Sequence, residues 1–226
     1  MIVDFLVLAC SMKHHDRCVA GYDLTNKELI RLVSKNEATK NAIPAQECFY
    51  NKIARELKPL DVIKIDRNSF KEKKDGAQTE NVLVNFPLVR QYIRRARLEE
   101  LGQIALSKLP FSTEEEYLSS QEYLKMKSSL CLVRVYNTRL YTKPNLEGES
   151  KTKVQFDVYK SDGTKETLLD YSVTDTRYYL YSDSNKNKEN KSVLGKAYLL
   201  ISLGPNEPSS TRFYKFVSGI IDSTNQ

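Results

Sequence analysis

The chain has no tryptophan, only two histidines and only eight glycines in 226 residues. Each scarcity excludes something. The histidines are neighbours, His14 and His15, and adjacent side chains on one loop seldom converge on one ion, so no metal site is expected. Glycine-rich phosphate loops are missing: the chain has no P-loop, no G-x-G-x-x-G, and neither H-E-x-x-H nor G-x-S-x-G. No catalytic residue and no cofactor is therefore assigned. Cysteine is limited to Cys10, Cys18, Cys48 and Cys131, without C-x-x-C or ligand spacing, which argues against zinc and for the reducing cytoplasm. No apolar run approaches the roughly 20 residues that span a bilayer. The apolar start carries Asp4 and lacks a basic leader, so it reads as neither a span nor a signal peptide.

What is present is tyrosine, phenylalanine and lysine on a background of ordinary hydropathy. Fourteen Tyr and eight Phe favour strands over helices. The net charge of +6 is uneven: residues 1–110 hold 19 Lys and Arg against 14 Asp and Glu, and the remainder is nearly balanced. A basic N-terminal half suits a polyanion.

The first thirty-four residues read as a β-meander. An apolar run, Val3 to Cys10, meets a polar loop, resumes as Arg17-Cys18-Val19-Ala20-Gly21, and continues as Leu29-Ile30-Arg31-Leu32-Val33-Ser34. Strands are expected near 2–10, 17–23, 29–34, 60–65 and 82–84, with a helix or turn over 44–57 started by Pro44. Lys13, Arg17 and Arg31 are the candidate phosphate ligands, because arginine can hold a phosphate through two parallel hydrogen bonds. Alternation predicts Arg17 and Arg31 on one side of the sheet.

Residues 86–109 show helical spacing with a change of face. Leu88, Val89, Tyr92, Ile93 and Ala96 share one side opposite Arg90, Arg94 and Arg97; from Leu98 the apolar side is Leu98, Leu101, Ala105 and Leu109. The spacing predicts two helical segments with a break near Arg97–Leu98, or a helix gripped from two sides, inside a helical connector over 86–127. Arg90, Arg94 and Arg97 extend the phosphate-binding set. The second apolar face offers a surface to a protein partner.

Beyond residue 128 the chain is strand-like: 130–141, 153–159, 165–173, 198–203 and 212–221, with a turn at Ser161-Asp162-Gly163-Thr164 and a polar loop at 183–192. Tyr178-Tyr179-Leu180-Tyr181 is a candidate base-stacking platform. The opening hairpin is echoed at the other end, Leu199 to Gly204 followed by Lys215-Phe216-Val217-Ser218-Gly219, which suggests a duplicated small barrel.

Several of these pieces carry a resemblance. Leu8-Ala9-Cys10-Ser11-x-Lys13, Arg17 to Gly21 and Ile30-Arg31-x-Val33-Ser34, together with Val173-Thr174-Asp175, Leu200 to Gly204 and Tyr214-Lys215-Phe216-Val217, resemble the bacterial dual OB-fold (DuOB) domain family. The chain departs from that pattern at Leu29 and Leu32 around the Arg31 strand. The resemblance implies a mostly β protein of two small OB-like barrels and a role in nucleic-acid biology, often in genome defence. The expected organisation is thus an N-terminal OB-like domain (1–85), the helical connector and a C-terminal OB-like domain (128–226). The expected function is non-catalytic binding of nucleic acid, single-stranded in preference, through Lys13, Arg17, Arg31, Arg90, Arg94, Arg97 and Lys215. The alternatives are an adaptor subunit of a multi-component complex and a nucleotide-phosphate sensor or enzyme.

Overall fold

The computed structural model describes residues 1–13, 15–36, 41–50, 52, 54–70, 78–107, 109–111, 117–144, 150–159, 163–179, 191–193, 197–205 and 211–223. The N-terminal half holds β1 (Ile2–Lys13), β2 (Asp16–Asp23), β3 (Glu28–Val33), the two-residue strands β4 (Phe49–Tyr50) and β5 (Arg55–Glu56), β6 (Asp61–Phe70), β7 (Asn81–Val84) and β8 (Gln91–Arg95). The C-terminal half holds β9 (Tyr117–Ser119), the short helix α1 (Ser120–Lys125), β10 (Leu130–Pro144), β11 (Ser150–Tyr159) and β12 (Lys165–Val173). It continues with one turn of helix, α2 (Thr176–Tyr179), then β13 (Lys191–Val193), β14 (Ala197–Pro205) and β15 (Arg212–Ile221). No helix among the described residues is long and apolar enough to cross a membrane. The expected turn at 161–164 and polar loop at 183–192 lie partly or mostly outside the described residues.

The two halves repeat one pairing order. In the first, β1 pairs with β2 and β2 with β3, both antiparallel; β3 runs parallel to β7, which pairs with β6, which returns to β1. In the second, β10, β11, β12, β15 and β14 repeat every step, with β12 and β15 as the parallel pair. The parallel ladders are thin, three residue pairs in the first half and two in the second, so each five-strand ring is weakly laced there. This order, a meander whose third strand lies parallel to the fifth, is that of the partly open OB barrel. β8 extends the first sheet from β6, while β9 and β13 extend the second from β15 and β10.

Long first strands make the rings possible. β1 pairs with β6 through residues 2–6 and with β2 through residues 5–13, bending at an irregularity between Val7 and Ala9. β10 likewise serves β14 and then β11, with the bend at Asn137 (φ 49°). From Phe5 to Cys10 the apolar run is continuous because both faces of β1 are buried there. Val3, Phe5 and Val7 fill the first ring, whereas Leu6, Leu8 and Ala9 join Ala20, Leu98, Leu101, Leu130, Leu132, Tyr198 and Leu200 in a third core between the rings. The second ring is filled by Val133, Val154, Phe156, Leu199, Val217 and their neighbours.

The first of the two helical segments expected over 86–109 is absent. Gln91–Arg95 is a strand along β6, and Leu98–Gln103 is a short 3-10 helix. The change of face at Leu98 is real, but it marks the junction between these two elements. Tertiary pairing with β6 and the grip of the fully buried Asp61 on Arg55 (2.7 and 2.8 Å) and Arg95 (3.0 Å) override the local helical spacing. Over 44–57 the helical part of the described residues is again 3-10: Ala45–Cys48, directly after Pro44, and Lys52.

The echo between the chain ends also changes meaning. It aligned the first and second strands of one ring with the fourth and fifth of the other, so it is not the internal repeat. Its shared glycine has a physical cause. A Cβ on Gly21 would lie 2.1 Å from the Leu6 carbonyl oxygen, and one on Gly219 would lie 2.2 Å from that of Leu8. Both hairpins press their backbone onto β1. Gly219→Ala should therefore cost about 1–3 kcal/mol or more through overpacking, read as a lower melting temperature. Gly102→Ala, whose Cβ would meet only the Tyr198 hydroxyl at 3.5 Å, serves as the mild comparison. Equal melting of the Gly219 variant and the parent would show that the rings can separate locally.

Candidate nucleic-acid interface

The seven cations singled out in the sequence do not converge. Arg31 lies opposite Ala20 in the β2–β3 ladder and therefore on the Cys18–Ala20 face, while Arg17 shares the other face with Val19. The expected shared side is corrected: the register separates the two arginines. Arg31 is buried between the rings, 3.2 Å from Glu80 and donating to Ser129 Oγ at 2.9 Å. Burial works against the charged Arg17 guanidinium, but its bond to Glu56 and the negative charge around it together raise its pKa. Lys13 is half-buried at the end of the β1–β2 ladder, opposite Asp16. Lys215 is also buried, pointing into the second ring with its Nζ 5.3 Å from the Phe111 ring and 5.9 Å from the Tyr171 ring.

The Arg90–Arg97 segment stays at the surface, but its charge is largely answered. Arg94 makes a two-pronged pair with Glu100 at 2.9 and 2.7 Å, and Arg90 lies 3.7 Å from Asp66. Arg97 is exposed, and its backbone N–H donates to Glu100. Arg94 first, with the Arg97 N–H and charge behind it, pushes the Glu100 carboxyl down to about 2 from its ordinary 4.5. A depressed carboxyl stabilises the fold only while ionised, so this contribution is complete above about pH 4.5 and is lost as pH falls through about 2. The stability difference between the parent and Arg94→Ala should accordingly be small and constant above pH 5 and vanish towards pH 2, measured by urea titration across that range. A difference that persists unchanged at pH 2 would remove this pair as its source.

A different surface gathers the chemistry that the sequence suggested. In β11 the residues Val154, Phe156 and Val158 point into the second ring, so Lys151, Lys153, Gln155, Asp157 and Tyr159 point out. Their partners across the ladders also point out: Lys143, Tyr141, Arg139 and Tyr136 on β10, and Ser172, Thr167 and Lys165 on β12. Tyr136 and Tyr159 meet edge to face at 5.3 Å, and the Arg134 guanidinium lies 5.3 Å from the Tyr136 ring. Tyr159 is 43% exposed. Three tyrosines and six cations thus share one face of three adjacent strands.

The acids on this face are already engaged. Asp170 accepts from Lys143 and from the Tyr141 hydroxyl, and those two bonds hold its carboxyl below the usual range. Burial works against ionised Asp157, but bonds from Thr167 (2.6 Å), Asn137 (2.6 Å) and Lys165 (3.0 Å) outweigh it and depress the carboxyl. Among the described residues no carboxylate pairs with Arg134, Arg139 or Lys151. The face is electropositive, with aromatic rings set among the cations.

The matching face of the first ring is not available. Ala20 and Arg31 are buried there, and Tyr22 and Leu29 pack against the core between the rings. The first ring uses its β2–β3 face to dock the second. The candidate stacking platform at Tyr178 is corrected too: Tyr178 is buried in the second core, and Leu180 and Tyr181 lie outside the described residues.

Two rings with the OB strand order, fused through a shared core, agree with the family comparison, in which the model of the dual OB-containing domain matches residues 3–220. The chain belongs to that family. Among curated proteins none matches it. As a dual OB-containing protein it carries one covered OB face and one open one, and the open one holds the tyrosines.

Proposed function

We propose that this dual OB-containing protein binds single-stranded nucleic acid on the outward face of β10, β11 and β12. The observation that carries the reading is the Tyr136–Tyr159 pair, flanked by Arg134, Arg139, Lys151 and Lys153, on an outer face that runs from the first strand of the ring onto the second and third, the strands on which OB barrels receive oligonucleotides. Bases stack on exposed rings, and cations between the rings follow the phosphates. The same reading places the protein in a reducing cytoplasm, where its four unbridged cysteines stay thiols.

Neither alternative gains equal support. The partner-binding helix does not form, and Leu98 and Leu101 are buried inside the chain's own fold. Near the Arg17–Glu56 pair a cleft of about 50 Å³ opens between Cys10, Glu56, Lys58, Asp175 and Arg177. It would admit a few waters, against the several hundred Å³ (about 300–1,000) of a small-molecule site. Asp175 is engaged there by Arg177 (2.6 and 3.0 Å) and by the Ile220 N–H (3.0 Å).

The test is a titration of single-stranded DNA and RNA at several salt concentrations. Engagement of about three to five phosphates predicts a log–log salt slope of about −2 to −3.5, since each phosphate on a single strand contributes about −0.7. Failure to bind either polymer at low salt, or affinity indifferent to salt, defeats the proposal.

A further inference from the structure

Resting on that reading, we infer that the bound strand does not end on β12 but continues over β15 onto β9, where Tyr117, Tyr214 and Arg212 form a second base-stacking subsite. The added strand β9 is outside the five-strand ring, and the structure puts it to a definite use. Val217 points into the ring, so by alternation Phe216, Tyr214 and Arg212 point outward. Phe216 pairs with Ser172, and Ser172 pairs with Lys153, so this row belongs to the same outer face as Tyr141 and Lys153.

From Phe216 the row runs along β15 to the point where β15 leaves β12 and takes β9 as its neighbour. There Tyr117 lies opposite Tyr214, with ring centroids 5.8 Å apart. The Arg212 guanidinium sits 4.7 Å from the Tyr117 ring. Arg212 is exposed and both tyrosines are half-exposed. A cation over an aromatic ring, beside a second ring, repeats the Arg134–Tyr136–Tyr159 arrangement on β10 and β11. Strands lie about 4.8 Å apart, so a polymer crossing from β11 over β12 reaches β15 within about 10 Å.

The β9 stem is held firmly enough to present such a site. Its Leu118 is buried with Leu203, and Tyr123 of α1 stacks on Phe213 with ring planes 5° apart. Ser119 caps α1 by accepting from the Glu122 N–H, which fixes where β9 ends. The subsite therefore selects for length: a strand covering only β10–β12 misses it, and a longer strand gains it.

Fluorescence anisotropy with the full chain and labelled oligothymidylates of about four and about eight nucleotides tests this. The parent should bind the longer oligomer at least about tenfold more tightly than the shorter one, beyond the statistical gain in registers. Arg212→Ala combined with Tyr214→Ala should erase that gain and leave the shorter oligomer's affinity unchanged, which also certifies that the variant is folded. Should the double variant unfold, Arg212→Gln must still lose part of the gain. Equal affinity for both lengths in the parent, or a gain preserved in the variants, overturns the subsite and leaves the β10–β12 face standing. Binding of neither length at low salt, with the oligothymidylates and with oligouridylates of the same lengths alike, overturns both readings.

Discussion

Glu80→Ala is expected to cost about 3–5 kcal/mol of folding stability, the loss that follows when one partner of a buried ion pair is removed. Glu80 is 4% exposed and is the acid nearest the Arg31 guanidinium, at 3.2 Å. It also accepts from the Ser129 N–H (3.2 Å) and from the Ser129 hydroxyl. Arg31 in turn donates to Ser129 Oγ, and its own N–H bonds the Glu80 carbonyl at 2.9 Å. The cluster thus ties β3 and the start of β7 to the segment entering β10. Deleting Glu80 strands a guanidinium between the rings. Replacing Arg31 with Met and Glu80 with Gln together should recover most of the loss, because no charge is then left alone. Urea denaturation of the three variants is the measurement. A Glu80→Ala loss under about 1 kcal/mol would mean that water reaches this junction and screens it.

The second large effect concerns binding. Tyr136→Ala combined with Tyr159→Ala should weaken single-stranded nucleic acid by about 2–6 kcal/mol, at about 1–3 kcal/mol per stacked base. Stability should fall little, since both side chains point away from the second core. Arg94→Ala, which removes an exposed cation already answered by Glu100, should leave affinity within a factor of about two. If Arg94→Ala weakens binding more than the tyrosine double variant does, the interface lies on the first ring and the present assignment is mistaken.

Much of the fold was legible because strands announce themselves by alternation. Lys153 to Tyr159 alternates without exception, and Phe5 to Cys10 is continuously apolar for the definite reason that β1 is covered on both sides. The segment 91–95 misled because Tyr92, Ile93 and the arginines satisfy helical spacing over a window as short as a strand. Only the free edge of β6 and buried Asp61 decide between the two, and neither is a local property. The site was less legible. The charge excess of residues 1–110 points to the first half, yet an arginine among apolar neighbours, as at Arg31, signals a buried partner as readily as a ligand. The useful clue was in β11 itself. Every outward position from Lys151 to Tyr159 is a cation, an amide, an acid or a ring, and none is aliphatic. That pattern singles out a surface more sharply than net charge does.

The glycine contact between β15 and β1 bears on how the chain is made. Vectorial synthesis delivers β1 well before β15, and the hydrogen bond from Thr176 Oγ1 to the Cys10 carbonyl already joins positions 166 residues apart. Until β10, β14 and β15 emerge, a nascent first ring shows the ribosome exit and its surroundings the bare apolar side of Leu6, Leu8, Ala9 and Ala20. Such a half-built surface is adhesive, and contacts this distant in sequence close slowly. A nascent-chain chaperone, or a pause in translation before residue 197, would thus influence the yield of this protein.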